Sequence, residues 1–113
     1  MYTHIVFFKL NQPTNDNIEF VKKTLLSMKG NISELRHLEV GVDDIRSERS
    51  YDIALITKFD NKEDYLSYDV NEYHVEKVKK VIKPYIEISK TVDYFMYHSA
   101  KLKVLLIQKW KSD

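Results

Sequence analysis

The chain has no cysteine among its 113 residues. That absence excludes a disulfide framework, catalysis by a thiolate, and zinc or iron–sulfur sites held by cysteine. An excess of one charge is also lacking, because 18 basic and 17 acidic residues leave a formal net charge of only +1. This balance gives no reason to expect a nucleic acid or an anionic surface as a partner.

Long apolar runs are missing as well. No stretch approaches the roughly 20 apolar residues that a membrane-spanning helix needs, and the amino-terminal stretch MYTHIVFFKL lacks the parts of a signal peptide. We therefore expect a soluble, cytoplasmic protein with no membrane partner. A chain of this length is expected to form one domain with a modest core.

Glycine and proline are scarce, with two of each, so the element boundaries are predicted from hydrophobic periodicity and helix caps. Alternating or β-branched and aromatic stretches predict strands at residues 2–10, 35–45, 51–59 and 90–98. Apolar residues at helical spacing predict one helix over 14–29 and a second helical region from about residue 60 to about Pro84, with Asn71 as the place where it would break.

Residue spacings that are typical of helix ends support both helices. Asp16 with Glu19 resembles a capping box at the start of the first helix, and Gly30 sits where a glycine often ends one. Asp60 and Glu63 repeat the capping spacing at the start of the second helical region.

The predicted order of strands and helices is βαββαβ, which is the ferredoxin-like α+β arrangement with a four-stranded antiparallel sheet. Two helices can cover only one face of such a sheet. Nevertheless, the strands are apolar on both faces, since Val6 and Phe8 alternate with Ile5 and Phe7 and the other strands alternate similarly. We infer that the open face packs against the same face of a second copy, in a two-fold homodimer.

The carboxyl-terminal segment, residues 99–113, extends beyond the domain that we place at residues 2–98. Its lysines flank the apolar stretch VLLI. Such a segment could touch a membrane surface, but packing on the domain or on the dimer partner, with the lysines solvated, is the better interpretation.

Four stretches carry a family resemblance: THIVFFKL, LEVGVD, YDIALITKFDNKEDYLSY and VDY, in this order along the chain. Together they resemble the stress-responsive A/B barrel, or Dabb, family over roughly residues 2–95. The resemblance implies a ferredoxin-like fold whose sheets pair face to face into a dimeric α+β barrel, which agrees with the two-sided apolar strands.

The same resemblance points to three candidate site residues. His4 in the first strand, and Tyr68 followed six residues later by His74, match recurrent marks of the family. In one plant branch, which cyclises linear polyketides by aldol condensation, residues at these positions are proposed to do acid–base work. The resemblance thus implies His74 as the base, Tyr68 as the anchor of a carbonyl oxygen and His4 as a second hydrogen-bonding group.

Geometry sets a condition on that site. On one unbroken helix a six-residue offset would place the Tyr68 and His74 side chains about 120° apart, because each residue turns about 100°. The two can therefore cooperate only if the helix breaks near Asn71. Family members often carry a His-Pro pair ahead of the final histidine, whereas this chain has NEY and so lacks the proline that would help to break the helix.

Each of the three candidate residues could instead have a packing role. His74 could donate to a backbone carbonyl while Tyr68 fills the core, and His4 could bridge the core to a helix. His37 and His98 lack the paired spacing of metal ligands, so we expect no metal and no cofactor. A haem-degrading monooxygenase, which shares the barrel and could use Trp110 with the histidines, is the weaker alternative.

Three classes of function stay open. A dimeric binding protein would hold a mostly apolar, carbonyl-type small molecule, with His4, Tyr68 and His74 as its polar contacts. A cofactor-free enzyme, either a cyclase or an isomerase-like lyase, would use the same three residues for proton transfer. A structural or interaction dimer would use its surface alone.

Overall fold

A computed structural model describes residues 1–96 of the chain. Its elements are β1 Tyr2–Leu10, α1 Asn15–Leu26, β2 His37–Val42, β3 Ile53–Phe59, α2 Lys62–Asp69, a π-helix Tyr73–Lys79, α3 Lys80–Ile82, a 3-10 turn Lys83–Tyr85 and β4 Ile86–Phe95. This order confirms the predicted ferredoxin-like βαββαβ fold. Residues 97 and 98 of the predicted fourth strand, and the extension 99–113, lie outside the described residues.

The four strands form one antiparallel sheet in the order β2-β3-β1-β4. β1 is therefore flanked on both sides, and Ile5 lies opposite Ile56 of β3 and Val92 of β4. β2 and β4 are the edge strands, and β4 pairs with β1 along its whole length.

The core lies between one face of the sheet and the helices. Ile18, Val21 and Leu25 of α1 are buried against it, as their helical spacing predicts. The sheet contributes alternate residues of its two central strands, namely Val6, Phe8, Leu10, Ile53, Leu55 and Phe59. Because side chains alternate across a strand, the residues between them point to the other face.

The helix starts differ slightly from the predicted capping boxes. α1 begins at Asn15, and the hydroxyl of Thr14 accepts a hydrogen bond from the Asn17 N–H at 3.2 Å. Asp16 lies in the first turn, where its charge suits the helix dipole. α2 is capped by Asn61, whose Oδ1 accepts from the Asp64 N–H at 2.8 Å. The predicted caps were wrong, since the capping side chains are Thr14, two residues before Asp16, and Asn61, one residue after Asp60.

The second helical region breaks near Asn71, the position at which a break would let Tyr68 and His74 come together. α2 ends at Asp69, and the chain resumes at Tyr73 as a π-helix. Asn71 sits between the two, and its Oδ1 accepts a hydrogen bond from the His74 N–H at 3.1 Å. An asparagine side chain therefore starts the new helix without the missing proline.

β4 begins at Ile86, four residues before its predicted start at residue 90. The polar residues Glu87, Ser89 and Lys90 interrupt the apolar pattern there. They are tolerated because β4 is an edge strand whose residues are largely exposed.

The sheet face away from the helices is apolar at its centre and uncovered in the single chain. Phe7 of the central strand is 40% exposed, and Val92 of β4 is 53% exposed. Ile5 lies between Val92 and Ile56 in the sheet, and both isoleucines are half-buried. We call this surface the open face. In residues 1–96, no helix has the length and apolar character that crossing a bilayer requires.

Candidate functional site

A cavity of about 240 Å³ lies between the covered face of the sheet and the second helical region. We call it the central cavity. His4, Tyr65, Tyr68 and His74 line it together with apolar side chains from β1, β3, α1 and the helices, including Val6, Phe8, Leu25, Leu55, Val78 and Ile82. Ser89 and Thr91 of the exposed strand β4 form its outer wall. The cavity is thus mostly apolar, with a few polar groups at defined positions.

The structure brings the three predicted residues together. The rings of Tyr68 and His74 stack with their centroids 4.1 Å apart and their planes 23° apart. The His4 ring meets the edge of Tyr68 at a centroid distance of 6.3 Å. Because the chain breaks at Asn71, the six-residue offset no longer separates Tyr68 from His74.

His74 is held in one tautomer by the backbone. Its Nδ1 lies 3.3 Å from the carbonyl oxygen of Asp69, so Nδ1–H donates and the lone pair remains on Nε2. The side chain is buried, with 8% of the residue exposed. This burial, helped by the charge of Lys79, lowers the pKa of His74 below its usual value, although the Asp69 carbonyl acts in the opposite direction. His74 is therefore a neutral imidazole at pH 7, and it can accept a proton.

His4 is held by a carboxylate. Its Nδ1 hydrogen-bonds to Oδ1 of Asp93, which lies directly opposite on β4. The pair orients the imidazole toward the cavity and fixes the hydrogen on Nδ1. Sequence reasoning missed Asp93 as a site residue, although a single carboxylate inside the apolar stretch VDYF of an edge strand was the available signal.

Tyr68 is the most enclosed of the three residues, with 1% of its surface exposed. Its hydroxyl donates to the Sδ of Met28 at 3.6 Å, on the side of the core that follows α1. Burial raises the pKa of Tyr68 well above the usual value of a phenol, so the hydroxyl keeps its proton. A thioether is a weak acceptor, which leaves this hydroxyl loosely bound.

Tyr65 is a second residue that sequence reasoning did not place in the site. Its ring lies 4.8 Å from the His4 ring and 5.4 Å from the Tyr2 ring, measured between centroids. Burial, together with the charges of Asp93 and Asp69, raises the pKa of Tyr65 to about 12. Its spacing of three residues from Tyr68, which puts both on one helix face, was the available signal.

The other histidine that the structure describes, His37, is not part of this cluster. It is exposed at the edge strand β2, with its Nε2 3.4 Å from Oε1 of Glu39. His98 and Trp110, which the haem-degrading alternative would need, lie outside the described residues. In the part of the chain that the structure covers, no three His, Asp or Glu side chains gather as metal ligands.

The family model of the stress-responsive A/B barrel domain matches residues 2–96. The chain belongs to this family. The match confirms the family resemblance that was seen over roughly residues 2–95. No curated protein sequence matches this A/B barrel protein at a significant level.

Several solved structures share the fold of this A/B barrel protein. A dimeric protein of ferredoxin-like fold from Bacteroides fragilis is 30% identical, with a TM-score of 0.72 over 84% of this chain and 95% of that one. A dimeric ferredoxin-like protein from Thermobifida fusca is 24% identical, with a TM-score of 0.74 over 84% and 90%. A hydroxynitrile lyase from Passiflora edulis is 17% identical, with a TM-score of 0.73 over 87% and 94%.

Proposed function

We propose that this protein binds a mostly apolar, carbonyl-type small molecule in the central cavity and transforms it by acid–base chemistry without a cofactor. The observation that carries the proposal is that two buried histidines, each with its Nδ1 hydrogen-bonded, line the same mostly apolar cavity. Apolar walls with a few convergent polar groups are the usual form of a small-molecule site.

His74 acts as the base in this proposal. Its Nε2 lone pair accepts a proton from the carbon next to the ligand's carbonyl group, and the ring passes that proton on when the product forms. The neutral state of the buried imidazole at pH 7 supports this role. His4, oriented by Asp93, serves as the second hydrogen-bonding group for the ligand.

Tyr68 would hold the carbonyl oxygen that gains negative charge. To do so, its hydroxyl must exchange the Met28 sulfur for that oxygen. The exchange is favourable in principle, because an oxygen bearing developing charge is a stronger acceptor than a thioether. Tyr68 is therefore the least direct of the three assignments.

A binding or interaction dimer without catalysis is the second candidate. The position of Tyr68 favours it, since a hydroxyl that donates to Met28 inside the core already has a packing role. The likeness to a hydroxynitrile lyase supports the enzymatic reading only at the level of the fold.

We also propose a homodimer formed through the open face. The exposure of Phe7 and Val92 supports it, as do the two similar structures described as dimeric. A cytoplasmic location, and packing of residues 99–113 on the domain or its partner, remain predictions from the sequence.

Exchange of carbonyl-adjacent protons tests the catalytic proposal. We expect the wild-type protein to speed the exchange of the methyl protons of 2-acetylnaphthalene in D2O, followed by NMR. Replacing the base in His74→Gln should slow the protein-dependent exchange by about 100-fold, because general bases contribute roughly that much. Affinity for the ketone should change little.

The matched control is His37→Gln, which removes an exposed imidazole far from the cavity. It should exchange protons at the wild-type rate. Ketone binding at the cavity without exchange above buffer would leave the binding protein as the function, and absence of both binding and exchange would leave the interaction dimer.

A further inference from the structure

A groove of about 410 Å³ adjoins the central cavity. It lies between the edge strand β4 and the π-helix with its continuation into α3. We call it the outer groove. Phe8, Lys79, Ile82 and Ser89 line both hollows, so the two meet across these residues. A ligand longer than the central cavity would extend into the outer groove.

The outer groove has an apolar floor. Phe8 and Ile86 contribute from the strands, and Val75 and Ile82 contribute from the helices. Its only polar contribution from the sheet is Ser89. An extended apolar group leaving the central cavity would therefore remain in apolar surroundings along this floor.

The rim of the outer groove is cationic. Among the described residues that line it, three are lysines, Lys79, Lys80 and Lys83, and none is acidic. Lys79 ends the π-helix and Lys83 begins the 3-10 turn, and both side chains line the groove. The side chains keep contact with water, since that of Lys79 is 54% exposed.

Ion pairs with acidic residues of the same chain neutralise only part of the positive charge on this rim. Lys80 is neutralised by Glu76 on its own helix, with Nζ 2.8 Å from Oε1. Lys79 meets Asp69 only at 3.8 Å, between half-exposed side chains. Within residues 1–96, Lys83 forms no ion pair. Two lysines of the rim are thus available to an anion.

We propose that the ligand of the central cavity carries a carboxylate, which lies in the outer groove against Lys79 and Lys83 while the apolar body fills the cavity. This inference rests on the proposed function, because it names the chemical class of that same ligand. Lysines near a helix end also suit the helix dipole, but that effect gives no reason for two of them to stand over an apolar floor.

Paired probes of the same shape test the proposal. Naphthalene-2-carboxylate and its uncharged isostere naphthalene-2-carboxamide would be titrated into the full chain at about 0.05 M salt, with binding followed by NMR. We expect the carboxylate to bind about fivefold more tightly, which is the scale of two partly exposed ion pairs. Raising the salt to about 0.5 M should remove most of this preference.

Substitutions test whether Lys79 and Lys83 cause the preference for the carboxylate probe. Lys79→Gln combined with Lys83→Gln should bind the two probes equally and keep the wild-type affinity for the amide. Lys77→Gln is the matched control, because Lys77 is exposed on the same π-helix but lines neither hollow. It should keep the fivefold preference.

Distinct results would overturn this inference and the proposed function. Equal affinity of the two probes, with shifts of the His4 and His74 signals by both, would reject the carboxylate and leave the proposed function standing. A preference that survives in the double variant would reject the assignment to Lys79 and Lys83. No binding of either probe would count against both proposals.

Discussion

The covered face and the open face of the sheet each depart from the pattern of an ordinary half-solvated sheet. The face covered by helices carries polar residues, with His4, Thr57 and Asp93 among its apolar ones. The uncovered face carries Ile5 and Phe7 at its centre. An antiparallel sheet with one solvated face is normally apolar inside and polar outside, so the polar cluster on the covered face and the apolar centre of the open face are both departures from that pattern.

Each departure from the normal pattern has its own consequence. Polar groups are costly to bury unless they are hydrogen-bonded, and on the covered face they are. Thr57 donates to the carbonyl oxygen of His4 at 3.3 Å, and His4 pairs with Asp93. The covered face therefore holds a polar cluster at a cavity, whereas the open face presents the apolar surface expected of an interface.

A charge on the open face should have the largest effect. Phe7→Asp places a carboxylate at the centre of that face, and in a two-fold dimer the change occurs twice. We expect the association of the protomers to weaken by 100-fold or more, because two unpaired carboxylates would be desolvated. Sedimentation velocity at micromolar concentration would then show a monomer in place of a dimer.

Val70→Asp is the matched control for that experiment. Val70 follows α2 and is 75% exposed, but it lies away from the sheet. It should leave the oligomeric state unchanged. If Phe7→Asp remains dimeric and folded by circular dichroism, the open face is not the interface.

On the covered face, Tyr68 can be divided into its ring and its hydroxyl. Tyr68→Ala should lower the free energy of unfolding by about 3–5 kcal/mol, as expected for loss of a buried aromatic ring. Tyr68→Phe removes only a hydrogen bond to a thioether and should cost less than about 1 kcal/mol. Urea unfolding measures both changes.

The activity of Tyr68→Phe then separates its two roles. Retained stability with slower proton exchange on 2-acetylnaphthalene would assign the hydroxyl to the carbonyl oxygen. Wild-type exchange in this variant would leave Tyr68 as a packing residue next to His74.

Local signals in the sequence were sufficient for much of this architecture. The β-branched and aromatic stretch at residues 2–10 gave the bounds of β1 correctly. The six-residue offset between Tyr68 and His74 gave the condition that the helix break at Asn71, and Asn71 fulfils it through its side chain. Such features depend on residues close together in the chain, which is why hydrophobic periodicity and helix geometry could predict them.

Local rules of this kind could not predict contacts between residues that are far apart in the sequence. Asp93 meets His4 across 89 positions of sequence, and only the register of β1 against β4 brings them together. The hydroxyl of Tyr68 is directed by Met28, which lies 40 positions away. The second effect bears directly on function, because periodicity indicated that Tyr68 was near the core but not which way its hydroxyl points.

The pH dependence of stability should show the smallest effect, and it tests whether His74 is buried in its neutral form. Burial lowers the pKa of His74 in the folded chain, whereas the unfolded chain has a value near 6.5. Below about pH 6.5 the unfolded state therefore binds more protons than the folded state. The stabilising contribution is complete above that pH and is lost as the pH falls toward and through the folded pKa. Urea midpoints between pH 7.5 and pH 5 should drop less in His74→Gln than in the wild type.

The control is again His37→Gln, whose exposed imidazole has no buried environment to lose. It should follow the wild-type midpoints across the same range. An identical drop in His74→Gln and the wild type would mean that the folded protein holds the protonated imidazole as readily as the unfolded chain does. That result would reject the burial of His74 in its neutral form, and with it the support that this burial lends to the proposed base.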